Sequence, residues 1–527
     1  MMKTEDPYNV PRGTAFLTSQ QLMLYITYLI FYALLARILN KLEVGQFAVL
    51  ALIQALFVGI VSGSLPSAAT RFISRCIAGG DPKAASGVAR TTLRLSLAVV
   101  GPAVVIAAFF SPLLGGFLEG ASDPTNLLLV TFVSSLFADL MLLYAAFYIG
   151  VGRYAQTLYQ NLLFVPLSRG LGLFLAYFGF RVLGIMLGWA LGGAVTILFS
   201  MYMWHGQLPK GGSYPLKPIL SFSLPVFASA LITLGQQWGD MGIVYVLLGA
   251  TALGPYYLVV SSVGFLSVLW TPVNQAIYPA LSASHAKNDV EGVSERLASA
   301  FRLINRSALP IGAALAAISP TALEIVYGPD YVGEALTMSI LSLSSVLLAQ
   351  GALLVTTLQA VGRIRQYLVV TLTSTLIFIA IVAIGAPLIG TVAGAIGRAV
   401  LFVLIVVLSR FSLSRAHAAQ TNSSMKKAIP LAACVSLPMF ALDQFFLYYY
   451  HPSWLRPSLQ LGILFVLFVI LFAGFGRRFK AFHHADIAML HDALPQSMRP
   501  FLKRIERIII SEDRVSSGVD QSGPGGI

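Results

Sequence analysis

The chain has 527 residues, of which 57% are hydrophobic and 10% are charged, and its formal net charge is +13. Soluble domains carry about 25% charged residues, so this composition excludes a large soluble enzyme. The basic residues lie in short connections between apolar runs, which is typical of membrane topology and does not indicate a nucleic-acid partner. The two cysteines, Cys76 and Cys434, provide neither a disulfide framework nor the spacing of metal ligands.

Apolar runs of eighteen or more residues recur from Ala15 to Gly474. Each can cross about 30 Å of hydrocarbon at about 1.5 Å per residue, and a segment in that layer must be helical. The first run is too long for a signal-peptide core, so we expect a retained span. We therefore predict an all-α polytopic membrane protein with about fourteen transmembrane helices. The predicted spans are 14–38, 43–65, 93–115, 125–149, 157–180, 182–204, 218–249, 252–279, 305–327, 335–360, 365–386, 388–410, 427–447 and 457–475.

The connections between these spans alternate sharply in charge. The face that carries both termini holds 28 of the 34 Lys and Arg residues, and the opposite face holds Arg37, Lys41, Arg181 and Arg456. By the positive-inside rule, both termini are cytoplasmic. We expect a multi-pass protein of the cell (plasma or inner) membrane.

The chain also repeats itself. At a constant offset of 208 residues, one series of residues returns in the same order: Asp81, Arg94, Pro102, Ser111-Pro112 and Gly120 reappear as Asp289, Arg302, Pro310, Ser319-Pro320 and Gly328. Close to that offset, Gly45-x-Phe47 returns as Gly254-x-Tyr256. Six predicted spans separate each residue from its mate, so the two repeats have the same orientation about an axis along the membrane normal. Two such lobes, rocking about a central site, are typical of a transporter.

The predicted domains follow from this repeat. They are a cytoplasmic N-terminus at 1–13, an N-lobe at 14–204, a C-lobe at 218–410, two further helices at 427–475, and a cytoplasmic tail at 476–527. Within the tail, the apolar face of residues 501–509 predicts an amphipathic helix on the membrane surface.

Several short motifs occur in a characteristic order. Ala36-Arg37-Ile38-Leu39 is followed by Gly45-Gln46-Phe47, then by Pro66 and Arg71-Phe72, by Asp240 in span 7, and by Gly254-x-Tyr256 at the start of span 8. This order, with the 6+6+2 span count, resembles the polysaccharide flippases of the multidrug, oligosaccharidyl-lipid and polysaccharide exporter superfamily. The resemblance covers about residues 14–475.

The resemblance implies a flippase for a lipid-linked oligosaccharide. Such proteins turn a polyprenyl- or dolichyl-(pyro)phosphate sugar from the cytoplasmic to the outer leaflet, and their partners are membrane lipids, this substrate, and the glycosyltransferases or oligosaccharyltransferase of the same pathway. Relatives that flip the peptidoglycan precursor use an arginine in span 8. Here span 8 has no charge, and its amide residues are Asn274 and Gln275. This difference counts against the peptidoglycan precursor as substrate.

No nucleotide-binding loop and no soluble catalytic domain are present, so we expect neither an enzyme nor a cofactor or metal site. The driving force is then an ion gradient, the membrane potential or consumption of the flipped lipid. Two alternatives stay open. One is a cation-coupled multidrug exporter of the same superfamily, although twelve spans would be expected of it. The other is a membrane glycosyltransferase or ligase, although the outer acidic residues lie only in short turns.

A charge within the bilayer costs about 2.5–3.5 kcal/mol on insertion scales, so charges within spans are candidate functional residues. Asp240 closes the cluster Gln236-Gln237-Trp238-Gly239-Asp240, where Gly235 and Gly239 favour a local helix break. We expect these three polar side chains to line a hydrated cavity that binds a coupling cation or sugar hydroxyls. The alternative is that Asp240 makes a structural bond between helices. Asp139 is a second candidate for the coupling ion.

Four arginines are candidate ligands of the substrate phosphate, because a guanidinium group binds phosphate oxygens in a bidentate manner. They are Arg37, Arg71, Arg169 and Arg398, and Asn274 is a further candidate for substrate binding. Each arginine has a structural alternative. Arg169 and Arg398 could pair with a carboxylate or with helix carbonyl groups, and Arg37 and Arg71 could extend to the membrane interface.

Overall fold

A computed structural model describes residues 10–413, 425–449 and 455–479. In these residues the chain folds into helices without a strand. Numbered in chain order, the helices are α1 (Val10–Ile38), α2 (Lys41–Val61), α3 (Leu65–Ala78), α4 (Pro82–Phe109), α5 (Ser111–Leu114), α6 (Pro124–Gly150), α7 (Tyr154–Leu175), α8 (Arg181–Trp204), α9 (Leu216–Leu248), α10 (Ala250–Gly264), α11 (Thr271–Ala286), α12 (Val290–Ala317), α13 (Ser319–Val326), α14 (Ala335–Ala360), α15 (Ile364–Ile389), α16 (Val392–Ser412), α17 (Met425–Tyr449) and α18 (Leu455–Arg478).

Repeat mates in the sequence have the same local structure. Asp81 caps the start of α4 and Asp289 caps the start of α12, each accepting a hydrogen bond from the backbone N–H three residues later. Gly152 and Gly362 follow α6 and α14, and their φ values are +76° and +75°. Glycine adopts this left-handed conformation without steric cost, which explains why it stands at both positions.

Eleven helices in the described residues are long and apolar enough to cross a membrane, or twelve if α12 and α13, which are bent by 74°, form one broken span. One of the eleven is the continuous segment Tyr154–Trp204, of 51 residues. Its α8 half packs back against its α7 half after a turn at Gly179, where φ is +101°. In α1, the apolar part among the described residues is Met23–Ile38, which is shorter than the eleven candidate spans. The chain is thus a multi-pass membrane protein, while the count of fourteen spans in two lobes stays a prediction.

Two predicted helices differ in detail from the expectation. The predicted span 8 is interrupted, because α10 ends at Gly264 and a 3₁₀ segment precedes α11. Helix α9 is not broken at Gly235 and Gly239, because its helical hydrogen bonding continues from Leu216 to Leu248. The predicted amphipathic helix at 501–509 lies outside the described residues.

The contacts between helices in the first half of the chain recur in the second half. Helix α1 packs against α7, α4 against α6, α6 against α8, and α7 against α8. In the same way α9 packs against α15, α12 against α14, α14 against α16, and α15 against α16. Outside this repeat, α17 packs against α12, and α18 packs against α13 and α17.

We call the end of the bundle that carries the turn between α1 and α2 the distal face, and the other end the proximal face. The two halves meet through α2 and α10 towards the distal face, and through α2 and α3 against α9 towards the proximal face. On the distal face, the Glu119 carboxylate accepts a hydrogen bond of 2.8 Å from the backbone N–H of Ala250. The first half thereby caps the start of α10 in the second half.

Candidate functional site

A cavity of about 520 Å³ lies between α1 and the second half of the chain. Its walls come from α1, α9, α10, α14 and α16, from the 3₁₀ segment after α10, and from one residue that follows α13. Among the residues that line it, none is acidic and one is basic. The polar ones are Tyr25, Tyr28, Tyr32, Thr233, Gln236, Gln237, Ser261, Ser262, Ser267, Tyr327 and Arg398.

The one basic residue of the cavity, Arg398 of α16, pairs with Asp240 of α9. Arg398 Nε lies 2.5 Å from Asp240 Oδ2, and Arg398 Nη2 donates to Asp240 Oδ1 at 2.8 Å. The Tyr256 hydroxyl also donates to Asp240 Oδ2, and Arg398 Nη2 donates to the Gln237 carbonyl oxygen at 2.9 Å. The pair therefore joins α9 to α16 and fixes the plane of the guanidinium group.

The position of Asp240 differs from the expected one. Its side chain is fully buried and does not line the cavity, whereas 13% of the Arg398 side chain is exposed. An aspartate in the bilayer persists when it is paired, neutralised or hydrated, and here it is paired. The hydrated carboxylate that we expected is thus replaced by a guanidinium group at the cavity surface.

Two other candidates do line the cavity, and a third does not. Gln236 Nε2 donates to Thr375 Oγ1 of α15 at 2.9 Å, and Gln237 lies one residue further along the wall. Asn274, at the start of α11, is outside the lining, and its buried Oδ1 atom accepts no hydrogen bond in the described residues. Asn274 follows the 3₁₀ segment that interrupts the predicted span 8.

The tyrosines of the cavity were not among the residues predicted from the sequence. The Tyr25 hydroxyl lies 2.5 Å from Ser267 Oγ, and the Tyr32 hydroxyl lies 2.8 Å from the Tyr257 hydroxyl. Both bonds connect α1 to the second half of the chain. The signal was present in the sequence, because Tyr25, Tyr28 and Tyr32 follow one another at helical spacing and share one face of α1.

Arg169 of α7 lies behind the α1 wall and not at the cavity surface. Its guanidinium carbon is 4.1 Å from the Trp189 ring centroid, 4.7 Å from that of Phe31 and 5.2 Å from that of Tyr28. Its buried Nε and Nη1 atoms donate to no acceptor in the described residues. Tyr28 thus contacts Arg169 and also lines the cavity.

The other two arginines lie far from the cavity. Arg37 Nη2 donates to the Ile325 carbonyl oxygen at 2.5 Å on the distal face. Arg71 is exposed on α3, with its guanidinium carbon 4.3 Å from the Phe222 ring centroid on the proximal face. Neither side chain lines the central cavity in this conformation.

Asp139 of α6 lies in the interior of the first half of the chain. Its side chain is 1% exposed, and the hydroxyl groups of Ser62 and Ser96 donate to its two carboxylate oxygens. Asp443, at the other end of the chain, is also buried, and Gln460 Nε2 donates to its Oδ1 at 2.8 Å.

A family model described as "Polysaccharide biosynthesis protein" matches residues 10–285. No curated protein sequence matches the chain. The fold is similar to that of the lipid II flippase MurJ in an inward closed conformation, with 15% identity, 87% of this chain and 98% of that chain covered, and a TM-score of 0.68.

The fold is also similar to two further transporters. One is an inward-facing multidrug resistance MATE family transporter of the MOP superfamily, with 17% identity, 79% of this chain and 96% of that chain covered, and a TM-score of 0.55. The other is a MOP superfamily transporter from Pyrococcus furiosus, described by the reverse polarity of its binding pocket, with 16% identity, 82% of this chain and 97% of that chain covered, and a TM-score of 0.52.

Proposed function

Because the chain belongs to the polysaccharide biosynthesis protein family, we propose that it is a flippase that moves a lipid-linked oligosaccharide between membrane leaflets by alternating access. The substrate class is a sugar on a polyprenyl or dolichyl (pyro)phosphate. The direction is from the cytoplasmic to the outer leaflet, and glycosyltransferases supply the substrate. The fold, which is similar to those of the MOP superfamily transporters, supports a transport function.

The composition of the cavity surface carries this proposal. It combines tyrosine and serine hydroxyl groups, glutamine amides and one guanidinium group, without a carboxylate among its lining residues. Hydroxyl and amide groups form hydrogen bonds with sugars, and a guanidinium group binds phosphate oxygens more strongly than neutral donors do. A sugar phosphate meets both requirements.

The same surface disfavours the multidrug alternative. A guanidinium group repels a cationic drug, and no lining residue supplies a negative charge, because the carboxylate nearest to the wall, Asp240, is buried beneath Arg398. The fold by itself does not distinguish the two functions, because it is also similar to that of a MATE transporter. The two functions therefore differ in the charge of the substrate, which an experiment can vary directly.

Asp240 has an indirect role in this proposal. Its carboxylate holds Arg398 through two hydrogen bonds and leaves part of the guanidinium group at the cavity surface. A phosphate that enters the cavity competes with Asp240 for that group. Arg398 is thus the proposed phosphate ligand, while Gln236 and Gln237 of α9 are the proposed sugar ligands.

The test uses the purified full chain in lipid vesicles. Two probes are compared: fluorescent undecaprenyl-pyrophosphate-linked N-acetylglucosamine, whose leaflet is read by a quencher, and the cationic dye ethidium. We expect flipping of the lipid-linked sugar and no uptake of ethidium.

Arg398→Gln should reduce flipping at least tenfold. Arg365→Gln, the same change at an exposed position at the start of α15, should leave flipping unchanged. Uptake of ethidium without flipping would establish the multidrug alternative instead.

A further inference from the structure

Asp139 is a buried carboxyl group, 1% exposed, whose two oxygens form hydrogen bonds with the hydroxyl groups of Ser62 at the end of α2 and Ser96 of α4. When the carboxyl group is neutral, its protonated oxygen donates to one serine and its other oxygen accepts from the second. In the described residues no Lys or Arg forms an ion pair with it. Asp240 differs in this respect, because Arg398 balances its charge.

In the part of the chain that the structure describes, no charged group on the helices that pack against α6 forms an ion pair or a hydrogen bond with Asp139. Glu43 of α2 and Arg181 of α8 pair with each other on the distal face. Arg71 contacts Phe222, and Arg169 lies among aromatic rings. The other charged or titratable groups on α2, α3, α4, α7 and α8 form no bond with the Asp139 carboxylate; they are Lys41, Arg75, Cys76, Lys83, Arg90, Arg94, Tyr154, Tyr159 and Tyr202.

A carboxyl group at this depth must be paired, hydrated or neutral. In the described residues no cation pairs with Asp139, and only 1% of it is exposed to solvent. We propose that Asp139 is a proton-binding site, neutral in this conformation, and that its ionisation drives opening of the contact between the two halves on the proximal face. This inference goes beyond the proposed function, since it concerns the coupling of the conformational change and not the ligand of the cavity.

A short path connects the carboxyl group to that contact. Ser62 is followed by Gly63, where φ is +57°, and Ser64 donates to the Ser223 carbonyl oxygen of α9 at 2.5 Å. The serine that contacts Asp139 is thus two residues from the serine that holds the second half of the chain. Gly63 itself lies beside Phe227 of α9.

Ionisation of Asp139 requires water to reach it. Water can enter where α2 ends and α3 begins if this segment moves away from α9, which breaks the bond from Ser64 to Ser223. The closed conformation therefore binds the proton more tightly than the open one, and a difference in affinity is what shifts a conformational equilibrium. For one proton the closed-to-open ratio changes by at most about tenfold per pH unit.

The experiment measures this ratio without any substrate, so its outcome is independent of the proposed function. The full chain, with Cys76→Ser and Cys434→Ser, carries spin labels at Lys83→Cys and Glu291→Cys. Both positions are exposed and lie in the first turns of α4 and α12 on the proximal face. They occupy equivalent places in the two sequence repeats. Label distances are measured by pulsed electron paramagnetic resonance in nanodiscs, between pH 5 and pH 9.

We expect the longer distance to become more populated as the pH rises. Asp139→Asn mimics the neutral carboxyl group and should hold the acid distribution at every pH. Ser62→Ala removes a donor to the ionised form and should move the midpoint to higher pH, because it disfavours ionisation. Asp443→Asn, a change at another buried aspartate, should preserve the wild-type pH dependence.

Four results would overturn the proposal. They are a wild-type distance that does not depend on pH, an Asp139→Asn protein that keeps the wild-type midpoint, a Ser62→Ala protein with an unmoved midpoint, and a shift produced by Na⁺ at constant pH. The last result would show that a metal ion is bound instead of a proton. If Asp139→Asn does not fold, Ser62→Ala alone decides the question.

Discussion

Gly45 of α2 and Gly254 of α10 lie against each other where the two halves of the chain cross towards the distal face. A Cβ atom on Gly45 would lie 1.8 Å from the Ala250 carbonyl oxygen, and one on Gly254 would lie 2.8 Å from the Gly45 nitrogen. The two glycines are repeat mates in the sequence. Equivalent residues meet where a twofold axis passes, so this contact is where we expect the predicted axis between the two repeats.

The first prediction concerns this crossing. Gly45→Ala introduces a methyl group where the backbones touch, and overpacking of this kind costs about 1–3 kcal/mol. We expect a lower melting temperature in detergent and a weaker contact on the distal face. Gly101→Ala in α4 is the control, because a Cβ atom there meets nothing within 4 Å. An unchanged melting temperature for Gly45→Ala would show that the helices can separate freely.

The second prediction concerns the pair of Asp240 and Arg398. Asp240→Asn leaves a buried guanidinium group without its counter-charge, and removal of one partner of a buried pair costs about 3–5 kcal/mol. We expect lower abundance and a lower melting temperature. The double variant Asp240→Asn/Arg398→Gln should recover part of the loss, because no unpaired charge then remains.

The control for this pair is the exposed one between Arg181 and Glu43, in which the Arg181 side chain is 49% exposed. Arg181→Gln should change stability by about 1 kcal/mol or less, because solvent screens the pair. Normal stability of Asp240→Asn would show that the carboxylate is not needed to hold α9 against α16.

The third prediction concerns Arg169. Its Nε and Nη1 donors lack acceptors in the described residues, so Arg169→Met should keep or raise the melting temperature by removing a buried charge. If Arg169 meets the substrate phosphate when α1 moves, flipping should fall at this unchanged stability, and Arg169→Lys should retain part of it. A strongly destabilised Arg169→Met protein would indicate that the aromatic cage requires the guanidinium group.

The fourth prediction concerns orientation. We expect both termini and the whole proximal face to be cytoplasmic, because the predicted spans assign 28 of the 34 Lys and Arg residues to the side of the termini. A fluorescent protein that matures only in the cytoplasm, fused after Gln521, should be active. An exported phosphatase fused at the same position should be inactive, and activity of the phosphatase would contradict the predicted topology.

Charged residues within apolar runs are rare enough that the sequence singles out Asp139, Arg169, Asp240 and Arg398 as candidates. Their partners could not be predicted in the same way. Arg398 lies 158 residues beyond Asp240, and the contact exists because α9 and α16 both pack against α15. The serine donors to Asp139 could not be predicted either, because serines are common in every span.

The sequence by itself determined the class of protein, the approximate helices and the internal repeat, because hydrophobic length, charge alternation and residue offsets are local or periodic properties. The tertiary structure alone decided that Asp240 is buried beneath Arg398, that three tyrosines of α1 line the cavity, and that Arg37 and Arg71 lie outside it. These outcomes depend on which helix faces meet. The face that each helix presents to its neighbours depends on the packing of many helices at once. It therefore cannot be predicted from any single segment of the chain.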